Sequence, residues 1–435
     1  MKANKTVGLV FFPAFDWAIS PTHPEREERL LYTQDQIFEE GIQDIEGIEM
    51  FNPLVATEKD IQRVHFAIPD VPTRVTESHL VSSGGAIRAA LAVMNKEVAS
   101  AFALVRPPGH HAHRVVYGDR GFCVTNNEAI MVERLRAEFG PLRVAIIDTD
   151  CHHGDGTEDI YWNDPETLVI SFHQDGRTLY PGTGFMDAFG GPSAYGYNVN
   201  IPLPPHTGDE GFLHALNHVV MPILDEYKPD LIVNSAGQDN HYSDPLTNMN
   251  FSAQGYAKLN SILKPDIAVL EGGYSIDGAL PYINVGIILA MAGMDYSGVK
   301  EPDYNPALLR QPKDITEYIK KISDAVLGNW KNRDTLWRKE YGGLDSYERP
   351  MQIYYDTDGI LEQQVQHFNK CSSCSGHNWI DSSSDSGRKV LAITIPLDGC
   401  KSCIDKAYKM YKHASSSYTN VYLQDRVHDE YLGKG

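Results

Sequence analysis

Seven short apolar runs punctuate the first two thirds of the chain: "VGLVFF", "AFALVRP", "VAIIDTD", "TLVISFH", "YNVNIP", "LIVNSAG" and "IAVLEGG". Each is nearly continuous and rich in β-branched residues, the pattern of a strand covered on both faces. Helix-like segments alternate with most of them, for example residues 25–40 and 127–139. That alternation restricts the chain to the α/β class, with a parallel sheet flanked by helices. Several runs also end in chemically active residues, at 106–111, 148–155, 171–173, 235–239 and 271–274. Ligands bind where parallel strands end. One site assembled along one sheet edge is therefore expected.

The densest stretch is "RVAIIDTDCHHGDGT", residues 143–157. Beyond its apolar run, Asp148, Asp150 and His152 alternate with period two and would point the same way in extended chain. Asp150 and His152 could hold one metal from a single side. Gly154 and Gly156 then let the backbone turn tightly. Burying these carboxylates and imidazoles without a cation would be expensive, which favours a metal over a polar loop that merely caps the sheet. A catalytic zinc takes three protein ligands and keeps one position open. Asp239, ending "LIVNSAGQD", fits as the third ligand; its competing use is as a helix N-cap.

The chain has 435 residues, 42% of them hydrophobic, enough for one large domain and a smaller one. A formal net charge of −20 argues against a general nucleic-acid binder and suits a cationic substrate. The opening "MKANKTVGLVFFPAFDW" lacks the apolar core of a signal peptide, and no apolar run reaches the length of a membrane span. A cytoplasmic protein is expected.

After Trp330 the pattern changes. Residues 331–350 are charged and contain glycine and proline, and read as a linker or surface crossing. The tail beyond has its own strand, "KVLAITIPL", and its own helix, "CIDKAYKMYKHA". The serine patch "DSSSDSG", 381–387, reads as a flexible loop. Around it lie "CSSC" (Cys371, Cys374) and "CKSC" (Cys400, Cys403). Two such knuckles read as a tetrahedral four-cysteine structural zinc site of the zinc-ribbon kind. The rival is redox chemistry, because strand, C-x-x-C and helix in that order resemble a thioredoxin-like arrangement.

Six motifs occur in order: "RPPGHHA" (106–112), "GFCVTNNEAI" (121–130), "DTDCHHGDGT" (148–157), "YPGTG" (180–184), "SAGQD" (235–239) and "LEGGY" (270–274). Together they resemble the zinc-dependent histone deacetylase superfamily, which includes acetylpolyamine amidohydrolases and bacterial deacetylase-like amidohydrolases. The likeness spans roughly residues 5–330 and is strongest to the class II branch. It implies an arginase/deacetylase fold for a catalytic domain of residues 1–345; the cysteine spacing, not the resemblance, makes 346–435 a small zinc-ribbon-like module. It implies catalytic zinc on Asp150, His152 and Asp239. It pairs Asp148 with His110 and Asp155 with His111, making His111 the general base and later acid, with His110 an electrostatic aid. The family's catalytic tyrosine corresponds to Tyr274, whose phenol would donate to the substrate carbonyl. Phe122 and Tyr180 match the aromatic pair that lines an acyl-lysine tunnel, with Gly121 beside them. Gln238 departs from the class II pattern, which usually has an apolar aromatic residue there, so the acyl preference stays open. The resemblance also implies one potassium ion at Asp148, Asp150, His152, Ser171 and Phe172, and a second at Tyr161, Asp164, Thr167 and Tyr197.

The expected function is zinc-dependent hydrolysis that removes an acyl group, acetyl first of all, from an amine. Acyl-lysine in a protein competes with acetylpolyamine or another small amide as substrate. A catalytically weak acyl-lysine-binding or assembly protein is the alternative of another class; the intact ligands, both histidines and Tyr274 speak against it. Association into a homo-oligomer stays open.

Overall fold

The computed structural model describes residues 1–11, 19–20, 22–302, 304–307 and 309–435. All seven apolar runs form strands. In chain order β1 (Lys2–Phe11) is followed by β2 (Glu46–Phe51), a short β3 (Phe66–Ala67), β4 (Ser100–Leu104) and a short β5 (Val115–Val116). Next come β6 (Val144–Asp148), β7 (Thr167–Gln174), β8 (Asn198–Leu203), β9 (Leu231–Ala236) and β10 (Ile267–Leu270). Eight of these make one sheet in the order β2-β1-β4-β10-β9-β6-β7-β8, every neighbouring pair parallel. β2 escaped the sequence reading because it is an edge strand, "EGIEMF", in which only Ile48 is buried.

Period-two alternation divides the strands between two cores. Phe102, Leu104, Ala145 and Ile147 pack on one face, under helices that include Ala253–Leu263 and Leu280–Met291. Ala101, Ala103, Val144 and Ile146 pack on the other, under Glu77–Met94 and Asn127–Phe139. The latter helix begins where expected because Asn126 caps it, its side chain accepting from the Ala129 amide at 2.9 Å. Among the described residues, no helix is long and apolar enough to cross a membrane.

The tail is larger than one strand and one helix. β11 (Ser346–Tyr355), β12 (Ile360–Asn369), β13 (Asn378–Ser384), β14 (Lys389–Ile395), β15 (Asn420–Asp425) and β16 (Glu430–Lys434) form a second sheet in sequence order. Its neighbours are antiparallel except β14 and β15, which helix Lys401–Lys412 connects as a crossover. Two local expectations are corrected. Residues 331–350 are not a linker but helix Arg333–Tyr341 and the start of β11, anchored by Trp337 Nε1 donating to the Pro192 carbonyl at 2.8 Å. The serine patch begins inside β13 rather than in a loop. Both β12 and β13 bury polar residues, Glu362, Gln364 and Gln366 on one and Ser382 and Ser384 on the other, so their period-two pattern is not an apolar one.

One face of the tail sheet carries the helix over Leu391, Ile393 and Leu423. The other packs Ile353, Tyr355, Ile380 and Val390 against Phe66, Ile68, Val115 and Tyr117 of the main body. Charged pairs ring this contact. Arg426 Nη2 reaches Glu133 at 2.8 Å and Asp164 at 2.9 Å, and Arg349 Nη2 reaches Glu158 at 2.9 Å.

Candidate active site

The five strand ends with polar cargo belong to β4, β10, β9, β6 and β7, which are consecutive in the sheet. Their C-terminal ends therefore deliver His110 and His111, Tyr274, Asp239, the Asp148 to Asp155 turn, and Ser171 to one edge. There Asp150, His152 and Asp239 each offer a ligand atom, and all three atoms lie within 4.8 Å of one another. His152 Nδ1 is 2.7 Å from Asp239 Oδ2 and 3.2 Å from Asp150 Oδ1. The remaining carboxylate oxygens are pinned by backbone amides: Gly272 N donates to Asp150 Oδ2 at 2.8 Å and Cys151 N to Asp239 Oδ1 at 2.7 Å.

The donor set fits a zinc ion. Two carboxylates and one imidazole are zinc's usual hard and borderline ligands. Gly237 and Gly272 leave a cradle around them, since a Cβ at either would strike Asp150, and one on Gly272 would also strike Asp239. Burial, with the neighbouring Asp150 charge adding, pushes the Asp239 carboxyl up to about 6. Two buried carboxylates this close call for a cation.

His110 Nδ1 lies 3.0 Å from Asp148 Oδ2, and His111 Nδ1 lies 2.8 Å from Asp155 Oδ1. A carboxylate only accepts, so each Nδ1 carries the proton. The two imidazoles then differ in environment. Burial, reinforced by His110, holds the His111 imidazole down at about 3, neutral, with Nε2 as a free acceptor. Against burial, the Asp150 and Asp148 carboxylates push His110 well above its ordinary value. Tyr274 is buried, its amide donating to Asp244 Oδ2 at 2.7 Å. Burial pushes its phenol well up, keeping it a donor.

The pocket aromatics flank this centre. The Phe122 ring meets Tyr274 edge-on at 5.8 Å, and the Tyr180 ring meets His111 at 5.3 Å and His152 at 6.4 Å. Gly121 lies between His111 and Tyr180. Gln238 is buried and spends its amide nitrogen on Asn284 Oδ1 at 2.5 Å. Of the expected potassium ligands, Asp148 and Ser171 are register partners across β6 and β7. Tyr161, Asp164 and Thr167 follow one another through the turn that enters β7, and the Tyr197 carbonyl accepts from Val169 N at 2.8 Å.

Several contributors were given no role from the sequence, although Arg106 and Glu271 fall inside its motifs. Arg29 is fully buried, donates from Nε to the Gly273 carbonyl at 2.9 Å, and stacks its guanidinium 4.9 Å from the Tyr274 ring. It shares Glu25 with Arg106 in a buried triad. Arg120 grips Asp155 at 3.0 and 2.7 Å. His113 lies between Asp155 (3.4 Å) and Asp159 (3.2 Å). Glu271 accepts from the Gly109 and His110 amides at 2.7 and 3.0 Å, fixing the histidine loop. Arg29 sits in a run of charged helix residues in which no spacing singles it out.

At the far end of the tail, Cys371, Cys374, Cys400 and Cys403 form a second cluster whose ligand atoms lie within 4.8 Å of one another. Cys371 and Cys400 sulfurs are 3.7 Å apart, and Cys374 and Cys403 sulfurs 3.6 Å. Sulfurs bound tetrahedrally to zinc at about 2.3 Å would stand about 3.8 Å from one another. The cysteine arrangement is thus the zinc-ribbon-like one, carried on a six-stranded sheet.

Metal ligands beside an imidazole with a free lone pair, and a buried phenol opposite, are what metal-assisted hydrolysis of an acyl bond asks of a site. The protein is by this geometry a hydrolase of that class. Comparison with known proteins makes the assignment specific. The histone deacetylase domain family matches residues 69–284. A probable deacetylase of Archaeoglobus fulgidus is 47% identical over 323 residues, covering 68% of this chain and 89% of that protein. A histone deacetylase-like amidohydrolase of Pseudomonas aeruginosa is 34% identical over 241 residues, covering 53% of this chain and 62% of that protein. The crystal structure of the HDA15 HD domain superposes with a TM-score of 0.65 at 25% identity, covering 77% of this chain and 99% of that one. The chain belongs to the histone deacetylase family. It is a deacetylase-type amide hydrolase that removes an acyl group from an amine.

Proposed function

We propose that residues 1–345 form a zinc-dependent deacylase acting on acyl-lysine or a similar cationic acylated amine, and that 346–435 form a module braced by a second, four-cysteine zinc. The observation that carries the reading is the meeting of Asp150, His152 and Asp239 with two histidine–aspartate pairs at one sheet edge. When bound there, zinc supplies Lewis acidity to the acyl carbonyl and to the attacking water. His111 takes the proton of that water at Nε2 and later returns it to the leaving amine, while Asp155 holds the tautomer that makes this transfer run in both directions. His110, hydrogen-bonded through Nδ1 to Asp148, adds electrostatic stabilisation beside it. The Tyr274 phenol donates to the carbonyl oxygen as charge develops. Phe122 and Tyr180, with Gly121 between Tyr180 and the histidines, grip the slim alkyl chain. Gln238 shapes the acyl end indirectly, through its bond to Asn284 in helix Leu280–Met291.

Potassium at Asp148, Asp150, His152, Ser171 and Phe172, and at Tyr161, Asp164, Thr167 and Tyr197, belongs to the same proposal. The Asp148–Ser171 register supports the first site and the turn entering β7 supports the second. The deciding experiment is a substrate panel of acetyl-lysine peptides, trifluoroacetyl-lysine peptide and N-acetylpolyamines, with zinc content measured in parallel. Turnover of at least one with two zinc ions per chain is expected. Inertness toward every acyl amide in protein with the 150–152–239 site loaded would overturn the reading.

A further inference from the structure

Gly121 and Phe122 are consecutive left-handed residues, with φ of 54° and 71°. Glycine adopts that region freely, whereas phenylalanine does so only when its surroundings hold it. The turn is held from both sides. On the inner side, Gly121 lies so close to the centre that a Cβ would strike the His111 ring, and the Phe122 ring meets Tyr274. Arg120, one residue earlier, directs its guanidinium to the aspartate that orients His111. On the outer side, the alternate amides of this loop donate to two carboxylates from the tip of the β11–β12 hairpin. Gly121 N reaches Asp356 Oδ1 at 2.9 Å, and Asp119 N reaches Asp358 Oδ2 at 2.6 Å. Gly118 makes room for that tip, since a Cβ there would strike Asp358.

We propose that Asp356 is a positioning residue for the acyl-chain channel: its carboxylate secures the Gly121–Phe122 turn, so that the C-terminal module completes the active site. The inference rests on the deacylase reading and extends it from the chemistry to the part of the chain that shapes the pocket. An amide turned toward the rim and left without its acceptor would be free to reorient, and the left-handed Phe122 would relax with it. Phe122 would then leave Tyr274, and the substrate chain would lose one wall. Asp356 itself is exposed, so its replacement removes an acceptor without opening a core.

The test uses full-length, zinc-loaded protein and the variants Asp356→Ala, Asp356→Asn, Phe122→Ala and the Asp356→Ala/Phe122→Ala double. Kinetics on the best acyl amide of the panel are paired with amide hydrogen exchange of the segment 117–123. Asp356→Ala should lower kcat/KM by on the order of 10²-fold, the cost of an ångström-scale misplacement. The loss should fall mainly on KM, since Phe122 grips ground and transition states alike. Exchange in 117–123 should quicken. Asp356→Asn keeps an acceptor oxygen and should stay close to wild type in both readouts. The double variant should be little worse than Phe122→Ala alone, because both changes act on one wall. Unchanged exchange and kcat/KM in Asp356→Ala would refute the proposal, as would a double-variant loss equal to the product of the single losses. So would Asn behaving like Ala, which would mean that the negative charge, not the hydrogen bond, matters. A wild type inert toward all amides would count against the hydrolase reading, while the exchange comparison would still decide the positioning role.

Discussion

His111 owes its part to two neighbours with opposite effects. Asp155 accepts a hydrogen bond from its Nδ1–H, and burial beside His110 keeps the ring neutral. His111→Ala should therefore keep both metals and lose turnover by on the order of 10²-fold or more, measured as kcat on the best panel substrate. Tyr274→Phe removes the phenol donor alone and should lose on the order of 10²-fold in kcat with little change in melting temperature. Asp239→Ala should abolish the metal of the 150–152–239 site while leaving the cysteine-bound metal, as read by metal analysis. Glu362 offers a pH test away from the metal. Burial pushes its carboxyl from 4.5 up to about 7, although Ser382 and Tyr355 donate to it. The folded state then holds more protons than the unfolded one between these values, so stability is lost as pH rises from 4.5 to about 7 and levels off above. Glu362→Gln cannot ionise. Its denaturant midpoint should gain on wild type through that window, by at most about 3 kcal/mol in stability, and run parallel above it.

The elements that matter most are the five adjacent strands and the β11–β12 hairpin. Adjacent placement of β6 and β9, within the consecutive run β4, β10, β9, β6 and β7, lets His152 and Asp239, 87 positions apart, share one metal. The hairpin tip reaches the active-site loop, while the cysteine knuckles start at the opposite end of β12, ten residues on and about 30 Å away at the rise of a strand. A Cys371/Cys374 double serine variant should accordingly lose one zinc per chain and become easier to cleave by protease within 370–403. Its turnover of a small acyl amide should survive. A single zinc in wild type together with a reversible Cys400–Cys403 disulfide would favour the redox alternative; loss of turnover in the variant at unchanged mass in solution would show that order passes along β12 to Asp356, and loss with a changed mass that catalysis needs an oligomer.

At the scale of the molecule, the main body and tail share one apolar contact and a buried ion-pair cluster. Arg426 is nearly buried and ties the tail to Glu133 and Asp164. Without Arg426, Glu133 and Asp164 keep only Arg136, at 2.9 and 3.4 Å, and lose charge-assisted hydrogen bonds, so Arg426→Ala should cost about 2 kcal/mol, read from denaturant midpoints. The same contact predicts one cooperative unfolding transition for the whole chain, with intrinsic fluorescence and catalytic activity lost together. Two well-separated transitions would show that main body and tail are energetically independent.

Much of the catalytic centre was legible because its signals are local. Apolar runs of strand length marked seven strands, the spacing at their ends marked Asp150, His152 and Asp239, and the resemblance carried by the ordered motifs supplied the roles expected of His110, His111 and Tyr274. A ligand's identity is a property of residue type and spacing, and both are written in a few consecutive positions. The tail was legible in its cysteines, which spacing betrays, and in one strand and one helix. Its polar strands were hidden, because Glu362, Gln366 and Ser382 are buried by partners that come from elsewhere in the chain. What only tertiary structure decided is of that kind. Arg29 beneath Tyr274, Arg120 on Asp155 and Asp356 on the Gly121 amide are bonds between distant positions, the last across 235 residues. A hydrogen bond through space imposes no period and no spacing on the sequence; it exists only once two surfaces built from distant parts of the chain have been packed against each other.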